Sequence, residues 1–332
     1  MLTASTLPKI ELHLHLDCSL SYNVVRALRP AVTEDIYWDD YVASPKCAGL
    51  PDYLARTRAS VALLQSARAL ELAVEDLFQR LAEDGVIYAE IRFAPLLHLE
   101  DGLAPAQVVE VVEAAANRAS AATGVEGGLI LCTLRHFSAG QSLQTAHLAE
   151  QFKGSRVVAL DIAGDEAGFG LDAHVPAFEH AAAHGIHRTA HAGEGAGPGS
   201  VWETLERLAP TRIGHGVRSS EDPALVEHLR QTGVHLEVCP YCNVQIDLYP
   251  TLSAHPIDHL YRAGVSLNVN TDARGVTPTT LSADYERLAE TFGWGPADLL
   301  QTNLHAAAAA FAPPELKAAL AQRLQAEYKI ES

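Results

Sequence analysis

Short apolar runs rich in β-branched residues recur along the chain, and longer segments with helical periodicity separate them. Eight of these runs predict β-strands, at residues 10–15, 86–93, 128–134, 157–162, 186–191, 211–215, 234–238 and 265–270. Strands that alternate with helices form parallel sheets, because each parallel pair needs a crossover connection. Eight such units predict the α/β class and favour a closed (β/α)8 TIM barrel over an open sheet.

The segments between the strands carry helix start and stop signals. Helices are predicted over residues 105–122, 223–231 and 256–263, each of which ends just before a glycine that can terminate a helix. Ser200, with Glu203 three residues later, predicts an N-terminal capping box. Residues 296–332, with the alanine run at 306–310, predict helices that close the barrel.

The connection between the first and second predicted strands is about seventy residues long, whereas the usual βα loop has about 2–6 residues. Residues 51–83 within it are rich in alanine and leucine and lack glycine and proline after Pro51, which predicts an extra helical segment. We expect this segment at the C-terminal mouth of the barrel, as a lid or wall. Because no linker, repeat or low-complexity tract divides the chain, we expect one domain over residues 1–332.

Composition and charge exclude several functional classes. The chain has 332 residues, 48% of them hydrophobic, so it can bury a large core. A net charge of −17 without a basic stripe argues against a nucleic-acid partner. No apolar stretch approaches the ~20 residues of a membrane span, and residues 1–9 lack a signal core, so a cytoplasmic location without membrane attachment is expected. Five cysteines without secreted spacing predict no disulfide framework.

Three histidines and an aspartate stand at or just after the ends of predicted strands. His13 and His15 are two residues apart, so both side chains leave the same face of the first strand. His191 and Asp272 end two further strands, and barrel active sites gather at the C-terminal strand ends. This set suits a single Zn²⁺ with an open position for water, although Fe²⁺ and Mn²⁺ tolerate the same ligands. Taken alone, His13 and His15 are equally consistent with hydrogen-bonded core histidines.

Candidates for acid–base chemistry accompany these ligands. Glu194 lies three residues after His191, where a carboxyl group can approach a metal without binding it, as expected of a proton donor. A solvated loop glutamate is the alternative. His215 lies between two glycines that allow close approach of backbone and ligand, and we expect it to act as a base or to orient water. Asp17 continues the pattern of the first strand on the same side, with an ordinary turn aspartate as the competing interpretation.

Two further motifs favour structural interpretations. Cys239 and Cys242 have the spacing of a redox CxxC pair, but we expect them on another barrel strand, away from the helix start that lowers a thiol pKa. No second pair exists to complete a tetrathiolate zinc site. The glycine-rich run at 193–199 lacks the Lys-Ser/Thr of a phosphate-binding loop and predicts a flexible loop beside the metal.

Five motifs occur in a fixed order: PKIELHLHLD at residues 8–17, AGDE at 163–166, HAGE at 191–194, GHG at 214–216 and NTD at 270–272. This set spans nearly the whole chain and resembles that of the adenosine deaminases, a family of barrel-fold metal-dependent hydrolases. The resemblance implies a zinc-dependent hydrolytic deaminase that converts an adenine-type nucleoside to the 6-oxopurine and ammonia. It also implies one Zn²⁺ per chain and a small purine nucleoside as the partner.

The resemblance implies a role for each site residue. The implied zinc ligands are His13, His15, His191 and Asp272. Glu194 would protonate the ring N1, and His215 would assist the hydrolytic water. Gly164 would contact the ring N3 through its backbone, and Asp17 would lie near the sugar.

Two positions depart from the family pattern. Ala273 stands where the family usually has a second aspartate that hydrogen-bonds the purine N7, and Cys18 stands where it usually has glycine. Loss of one hydrogen bond to the base costs about 1 kcal/mol, enough to change substrate preference without abolishing the chemistry. Arg274, the next residue, is a candidate to replace the lost contact.

Several alternatives stay open at this point. The substrate could instead be a modified adenine nucleoside or free adenine. An amide- or ester-cleaving hydrolase and a non-catalytic ligand-binding protein are the rival functions on the same scaffold. The native metal and the oligomeric state are not determined by the sequence.

Overall fold

Eight parallel strands form one sheet in which neighbours follow chain order. The computed structural model describes residues 4–328. Its strands are β1 (Lys9–His15), β2 (Val86–Phe93), β3 (Glu126–Leu134), β4 (Val157–Ala163), β5 (His187–Ala192), β6 (Arg212–His215), β7 (His235–Val238) and β8 (Leu267–Val269). The ring closes just beyond β8, where Leu14 pairs with Asp272. The predicted (β/α)8 barrel is therefore confirmed, and each predicted strand overlaps an observed one.

Helices surround the barrel and follow most of the predicted boundaries. They are α1 (Tyr22–Leu28), α2 (Glu34–Asp40), α3 (Leu50–Leu63), α4 (Ala67–Glu83), α5 (Pro105–Thr123), α6 (Ala139–Gln151), α7 (Val175–Ala183), α8 (Pro198–Leu208), α9 (Pro223–Thr232), α10 (Pro240–Gln245), α11 (Ile257–Arg262), α12 (Leu281–Phe292), α13 (Pro296–Ala309) and α14 (Pro314–Glu327). Gly124 and Gly233 end α5 and α9 in the left-handed conformation, at φ 77° and 71°, as the stop signals predicted. The predicted C-terminal helices are α13 and α14, and residues 329–332 of that prediction lie outside the described residues.

The capping box predicted at Ser200 is wrong. Helix α8 already begins at Pro198, with Gly197 as its N-cap, so Ser200 lies inside the first turn. Proline is favoured at this first helical position because its missing N–H has no intrahelical partner there. The Ser200 hydroxyl instead donates to the Glu166 carboxylate at 2.5 Å.

The helical segment predicted over residues 51–83 is confirmed and consists of two helices, α3 and α4. The helical pattern over 51–83 is interrupted at residues 64–66, where Ser66 caps the start of α4. Helix α4 buries Leu70, Val74, Leu77 and Leu81 at helical spacing. Fully burying each such side chain stabilises the fold by about 1.5–3 kcal/mol. Because this apolar face packs against α5 and β2, α4 belongs to the helical layer around the barrel. Helix α3 instead lies at the mouth of the barrel, where we expected a lid or wall.

No helix within residues 4–328 combines the length and the apolarity needed to cross a membrane.

Candidate active site

Four imidazoles and one carboxylate converge at the C-terminal ends of the barrel strands. His13 and His15 come from β1, His191 from β5 and His215 from β6. Asp272 joins them because it forms the closing bridge: its N–H donates to the His13 carbonyl at 3.1 Å, and its carbonyl accepts from the His15 N–H at 2.8 Å. The fold therefore brings together all the ligands predicted from the sequence.

The ligand atoms lie at distances that a single metal ion requires. His15 Nε2 is 3.1 Å from His191 Nε2, and the Asp272 Oδ1 atom is 3.1 Å from His13 Nε2 and 3.5 Å from His15 Nε2. Two ligands at Zn²⁺ bond lengths and a tetrahedral angle would lie about 3.3 Å apart. The donor set thus fits a zinc ion.

His215 also lies in this cluster. One ligand atom from each of His13, His191, His215 and Asp272 can be chosen so that all four lie within 4.8 Å of one another. His15 is not part of that four-residue set, although its contacts with His191 and Asp272 are short. Distance alone therefore offers five groups for one ion.

Buried carboxylates fix two of the imidazoles through hydrogen bonds at their Nδ1 atoms. His13 Nδ1 is 2.8 Å from Glu237 Oε2, and His191 Nδ1 is 3.2 Å from Asp161 Oδ1. A carboxylate can only accept, so each Nδ1 carries the proton and each Nε2 presents its lone pair to the site. His13 Nε2 is buried without a hydrogen-bond partner, as expected of a nitrogen whose lone pair binds a metal ion.

Arg92 links the two supporting carboxylates. Its guanidinium contacts Asp161 at 3.0 Å and Glu237 at 2.6 Å. Burial alone would raise the pKa of Glu237, but the charges of Arg92 and Arg212 outweigh it and hold that pKa at about 2. Both carboxylates therefore stay ionised below the histidines, which keeps the tautomers of His13 and His191 fixed.

Two site residues adopt the left-handed backbone conformation that side chains other than glycine rarely occupy. The φ angles are 60° at His215 and 66° at Asp272. Gly214, within β6, leaves room for the imidazoles, since a Cβ there would lie 2.8 Å from His13 Cε1. This glycine thus makes room for the histidine rings, and the expected close approach of a ligand beside His215 stays a prediction.

Glu194 is 5% exposed and lies with Oε1 3.5 Å from His215 Nε2. Burial raises the pKa of its carboxyl well above the usual range, and the charges of Asp272 and Glu166 raise it further. A raised pKa favours the protonated form of this carboxyl, which suits the predicted proton donor.

Glu166 holds the loop that carries Glu194, a role that the sequence analysis missed. Its two oxygens accept hydrogen bonds from the backbone N–H groups of Gly193, Glu194 and Ala196 at 2.7, 2.9 and 3.0 Å, and from the hydroxyl of Ser200. The glycine-rich run is therefore tied down by one buried carboxylate and does not match the flexible loop we expected. Its place in the AGDE motif was the available signal.

Asp17 and Gly164 both line the cavity above the cluster formed by the four histidines and Asp272. β1 ends at His15, and Asp17 lies in the 3-10 turn that follows. Asp17 therefore does not continue the strand, although we expected it to continue the strand pattern. Its carboxylate is buried and accepts from the Ala94 N–H at 2.9 Å, with His98 Nε2 2.6 Å away. Gly164 has φ 104°, a conformation for which glycine is suited.

The expected position of the CxxC pair is wrong. β7 ends at Val238, Cys239 is the N-cap of α10, and Cys242 lies in the first turn of that helix. Burial nevertheless raises the pKa of both thiols well above the usual range, so neither is a reactive thiolate. The Cys242 thiol donates to Asp272 Oδ2 at 2.9 Å, so this helix touches the metal cluster directly.

The suggested role of Arg274 is also wrong. Its guanidinium is buried on Glu11 and Asp84, at 2.7 and 2.8 Å, and the residue does not line the cavity. Ala273 and Cys18 do line it, so the cavity wall is apolar at Ala273, where the resemblance implies a second aspartate.

The cavity above the cluster has a volume of ≈ 660 Å³. Helix α3 supplies one wall, including Leu50, Leu54 and Val61, and Phe169, which is 46% exposed, also lines the cavity. Such a concave, mainly apolar space with a few polar groups at its base is typical of a small-molecule site.

Comparisons with known proteins agree on one family. Residues 8–327 match the family model described as adenosine deaminase. The chain is 34% identical over 328 residues to an adenosine deaminase from Enterococcus faecalis, with 97% of each chain covered.

Solved structures share the fold over nearly the whole chain. An adenine deaminase from Arthrobacter aurescens is 26% identical, with a TM-score of 0.90 and coverage of 98% of this chain and 100% of that one. An amidohydrolase from Burkholderia ambifaria with bound Zn is 23% identical, with a TM-score of 0.90 and coverage of 98% and 92%. The latter likeness concerns the fold alone.

Proposed function

The chain belongs to the adenosine deaminase family, and on that premise we propose that it is a zinc-dependent hydrolytic deaminase of a 6-aminopurine nucleoside. Membership makes it a hydrolase of C–N bonds in cyclic amidines. The observation that carries the finer proposal is the buried carboxyl of Glu194, which lies 3.5 Å from His215 in the histidine cluster and whose pKa is raised well above its usual range by burial. A proton donor there meets the need of an aromatic ring nitrogen, which must be protonated before water adds to the adjacent carbon.

The zinc ligands of this proposal are His13, His15, His191 and Asp272, one ion per chain. Their support is the set of ligand distances near 3.3 Å expected around Zn²⁺, together with the unpartnered His13 Nε2. When bound, the ion would supply a water of lowered pKa and stabilise negative charge.

The remaining chemistry belongs to side chains. Glu194 gives its proton to the ring N1, which makes the carbon bearing the amino group more electrophilic. His215 orients the water as it attacks that carbon, and Asp272 lies on the same side. Gly164 and Asp17 position the purine N3 and the sugar, respectively, consistent with their places in the cavity wall. The amino group takes up the proton that Asp272 accepts from the attacking water and leaves as ammonia, and the hydroxyl proton of the adduct returns to Glu194, which gives the 6-oxopurine.

Charge in the cavity favours a neutral nucleoside over a nucleotide. Apart from the metal cluster and Glu194, the wall contains the acidic Asp17, Glu100 and Asp165 against the basic Arg58. A phosphate dianion would meet net repulsion there. The apolar wall of α3 leaves space beyond a purine ring for a sugar or an uncharged substituent.

Free adenine is the second candidate substrate. It is favoured by the 26% identity and full-length match to the adenine deaminase from Arthrobacter aurescens. A cavity of ≈ 660 Å³ leaves much of its volume unfilled by a bare purine, which is why we place the nucleoside first.

The test is a substrate panel followed by ultraviolet absorbance, with the zinc content measured in parallel. Adenosine, methylthioadenosine, adenine and adenosine monophosphate are compared, and we expect the neutral nucleosides to give the highest kcat/KM. Turnover of amides or esters without deamination would favour the rival hydrolase, and zinc binding without any turnover would favour the ligand-binding protein.

Glu194→Gln tests the proton donor. We expect it to keep its zinc and lose at least about 10²-fold in kcat, the usual contribution of a general acid. Glu110→Gln is the matched control, because this glutamate is exposed on α5 and does not line the cavity. Near-normal turnover in Glu194→Gln would remove this residue from its role.

A further inference from the structure

We infer that Asn243 and His255 hold the proton of His215 on Nε2, which makes His215 a hydrogen-bond donor to the reacting water and excludes it as a base or zinc ligand. The catalytic meaning of this inference rests on the proposed deaminase function. The position of the proton does not, and it can be measured without any substrate.

A backbone N–H group, which can only donate, fixes the tautomer of His255. The N–H of Ile257 donates to His255 Nδ1 at 3.1 Å, so this nitrogen must present its lone pair. Burial lowers the pKa of His255 to about 3, so the ring is neutral. Its one proton therefore lies on Nε2.

The next step orients the amide of Asn243. His255 Nε2 lies 3.2 Å from Asn243 Oδ1, and because Nε2 carries the proton, the amide oxygen is the acceptor. The amide nitrogen then faces His215 Nδ1 at 3.1 Å. The two ends of an asparagine amide cannot normally be distinguished by position alone, but here the neighbouring histidine decides between them.

The final step concerns His215. The NH₂ group of Asn243 can only donate, so His215 Nδ1 accepts and carries no proton. The neutral ring then has its proton on Nε2, the nitrogen that lies 3.5 Å from Glu194 Oε1. All three side chains of this relay are at least 97% buried (exposed fractions of 3% for His255, 0% for Asn243 and 1% for His215), so water does not compete for these bonds.

This arrangement decides between the two possible ligand sets. A metal needs a nitrogen lone pair, and His215 Nε2 has none in this tautomer, whereas His13 Nε2 and His191 Nε2 do because carboxylates face their Nδ1 atoms. The fourth position around the ion then belongs to His15. Among the groups of the cluster, Asp272 is left to accept the proton of the attacking water.

The direct test is ¹⁵N NMR of the zinc-loaded protein with labelled histidines, in which a protonated and an unprotonated ring nitrogen resonate far apart. The His215 signals are assigned by their loss in His215→Gln. We expect Nε2 to be protonated and Nδ1 unprotonated. The opposite result in the wild-type protein overturns the inference, whatever the behaviour of any variant.

Asn243→Asp supplies the matched perturbation. A carboxylate facing Nδ1 accepts instead of donating, so the proton should move to Nδ1. We expect kcat to fall by about 10²-fold, as when one donor to a reacting oxygen is lost, while KM and zinc content stay near wild type. Asn117→Asp, an exposed asparagine on α5, is the control and should change neither the spectrum nor kcat.

His255→Ala separates the two residues of the relay. It leaves the Asn243 amide free to turn, so both tautomers of His215 should appear and the loss of kcat should be smaller. An unchanged His215 spectrum in both variants would show that the relay does not position the proton. If the tautomer is as inferred but no aminopurine is turned over, the proposed function fails and the structural inference stands.

Discussion

Replacement of Glu166 by glutamine should disconnect the proton donor from the metal site. The carboxylate accepts four hydrogen bonds, three of them from the loop backbone around Glu194. Glutamine keeps one acceptor oxygen and turns the other into an NH₂ group. If this group faces the Oε2 side, the N–H groups of Glu194 and Ala196 both lose their acceptor. If it faces the Oε1 side, Ser200 can accept in turn and only the Gly193 bond is lost.

The magnitude follows from the number and kind of bonds. A hydrogen bond to a charged group is worth about 1.5–3 kcal/mol, and one or two are lost together with the negative charge. A loss of about 3 kcal/mol corresponds to about 10²-fold in rate if it falls wholly on the placement of Glu194. We therefore expect kcat to decrease by about 10- to 100-fold. Zinc content should be unchanged, since Glu166 has no hydrogen bond to any ligand.

Steady-state kinetics on the best substrate of the panel, with metal analysis, provide the assay. Glu179→Gln, an exposed glutamate on α7, is the matched control for the loss of one charge. Glu166→Asp should recover part of the activity, because it restores an acceptor-only group on a shorter side chain. A Glu166→Gln enzyme with kcat within threefold or so of wild type would refute the reasoning, since the loop would then hold Glu194 without this carboxylate.

Three further predictions concern specificity, stability and the metal. Ala273→Asp should raise kcat/KM for adenosine by about fivefold, the value of one hydrogen bond, because the new carboxyl, in its protonated form, donates to the purine N7. It should not do so for 7-deazaadenosine, which lacks the N7 acceptor; equal effects on both would contradict this. The buried Asp284 has its pKa raised to about 7 by burial, against which Arg287 acts, so the folded state binds its proton more tightly than the unfolded chain and stability falls as pH rises from about 4 to 7. Asp284→Asn should remove this dependence and gain up to about 4 kcal/mol at pH 8, measured by urea unfolding at pH 5 and pH 8; a gain of the same size at both pH values would argue against titration of this group. Removal of zinc by a chelator should lower the melting temperature by several degrees, because an ion that binds only the folded state stabilises it, and calorimetry before and after zinc is restored measures the change.

The barrel and its ligand positions were predictable because they depend on short-range patterns. Eight apolar runs with intervening helices determine the topology, and the C-terminal strand ends of a parallel barrel meet at one face. His13, His191 and Asp272 could thus be placed near one another without coordinates. The helix starts at Pro198 and Pro240 were missed, since proline at the first helical position resembles a loop signal when it follows glycine or a strand.

What could not be predicted depends on contacts between distant segments. The relay from His255 through Asn243 to His215 joins β6, α10 and the residues before α11, and no local pattern marks those residues as partners. Arg274 illustrates the converse: its position next to Ala273 suggested a substrate contact, but Glu11 and Asp84 bind its guanidinium. A buried arginine without a partner would strongly destabilise the fold. The Arg274 side chain therefore points to the two acids and not into the cavity.

The closure of the barrel and the formation of the metal site are one structural event. β8 contributes only Leu267–Val269 to the sheet, and the backbone bonds that complete the ring are those of Asp272 with His13 and His15. The side chains of the same three residues are three of the proposed zinc ligands, so binding of the ion would hold the first strand and the last segment of the barrel together. The left-handed conformation of Asp272 is costly on its own, by about 1–3 kcal/mol, and it is maintained because both the backbone bridge and the carboxylate contacts require it. The strained residue is thus the one whose backbone closes the barrel and whose side chain belongs to the site.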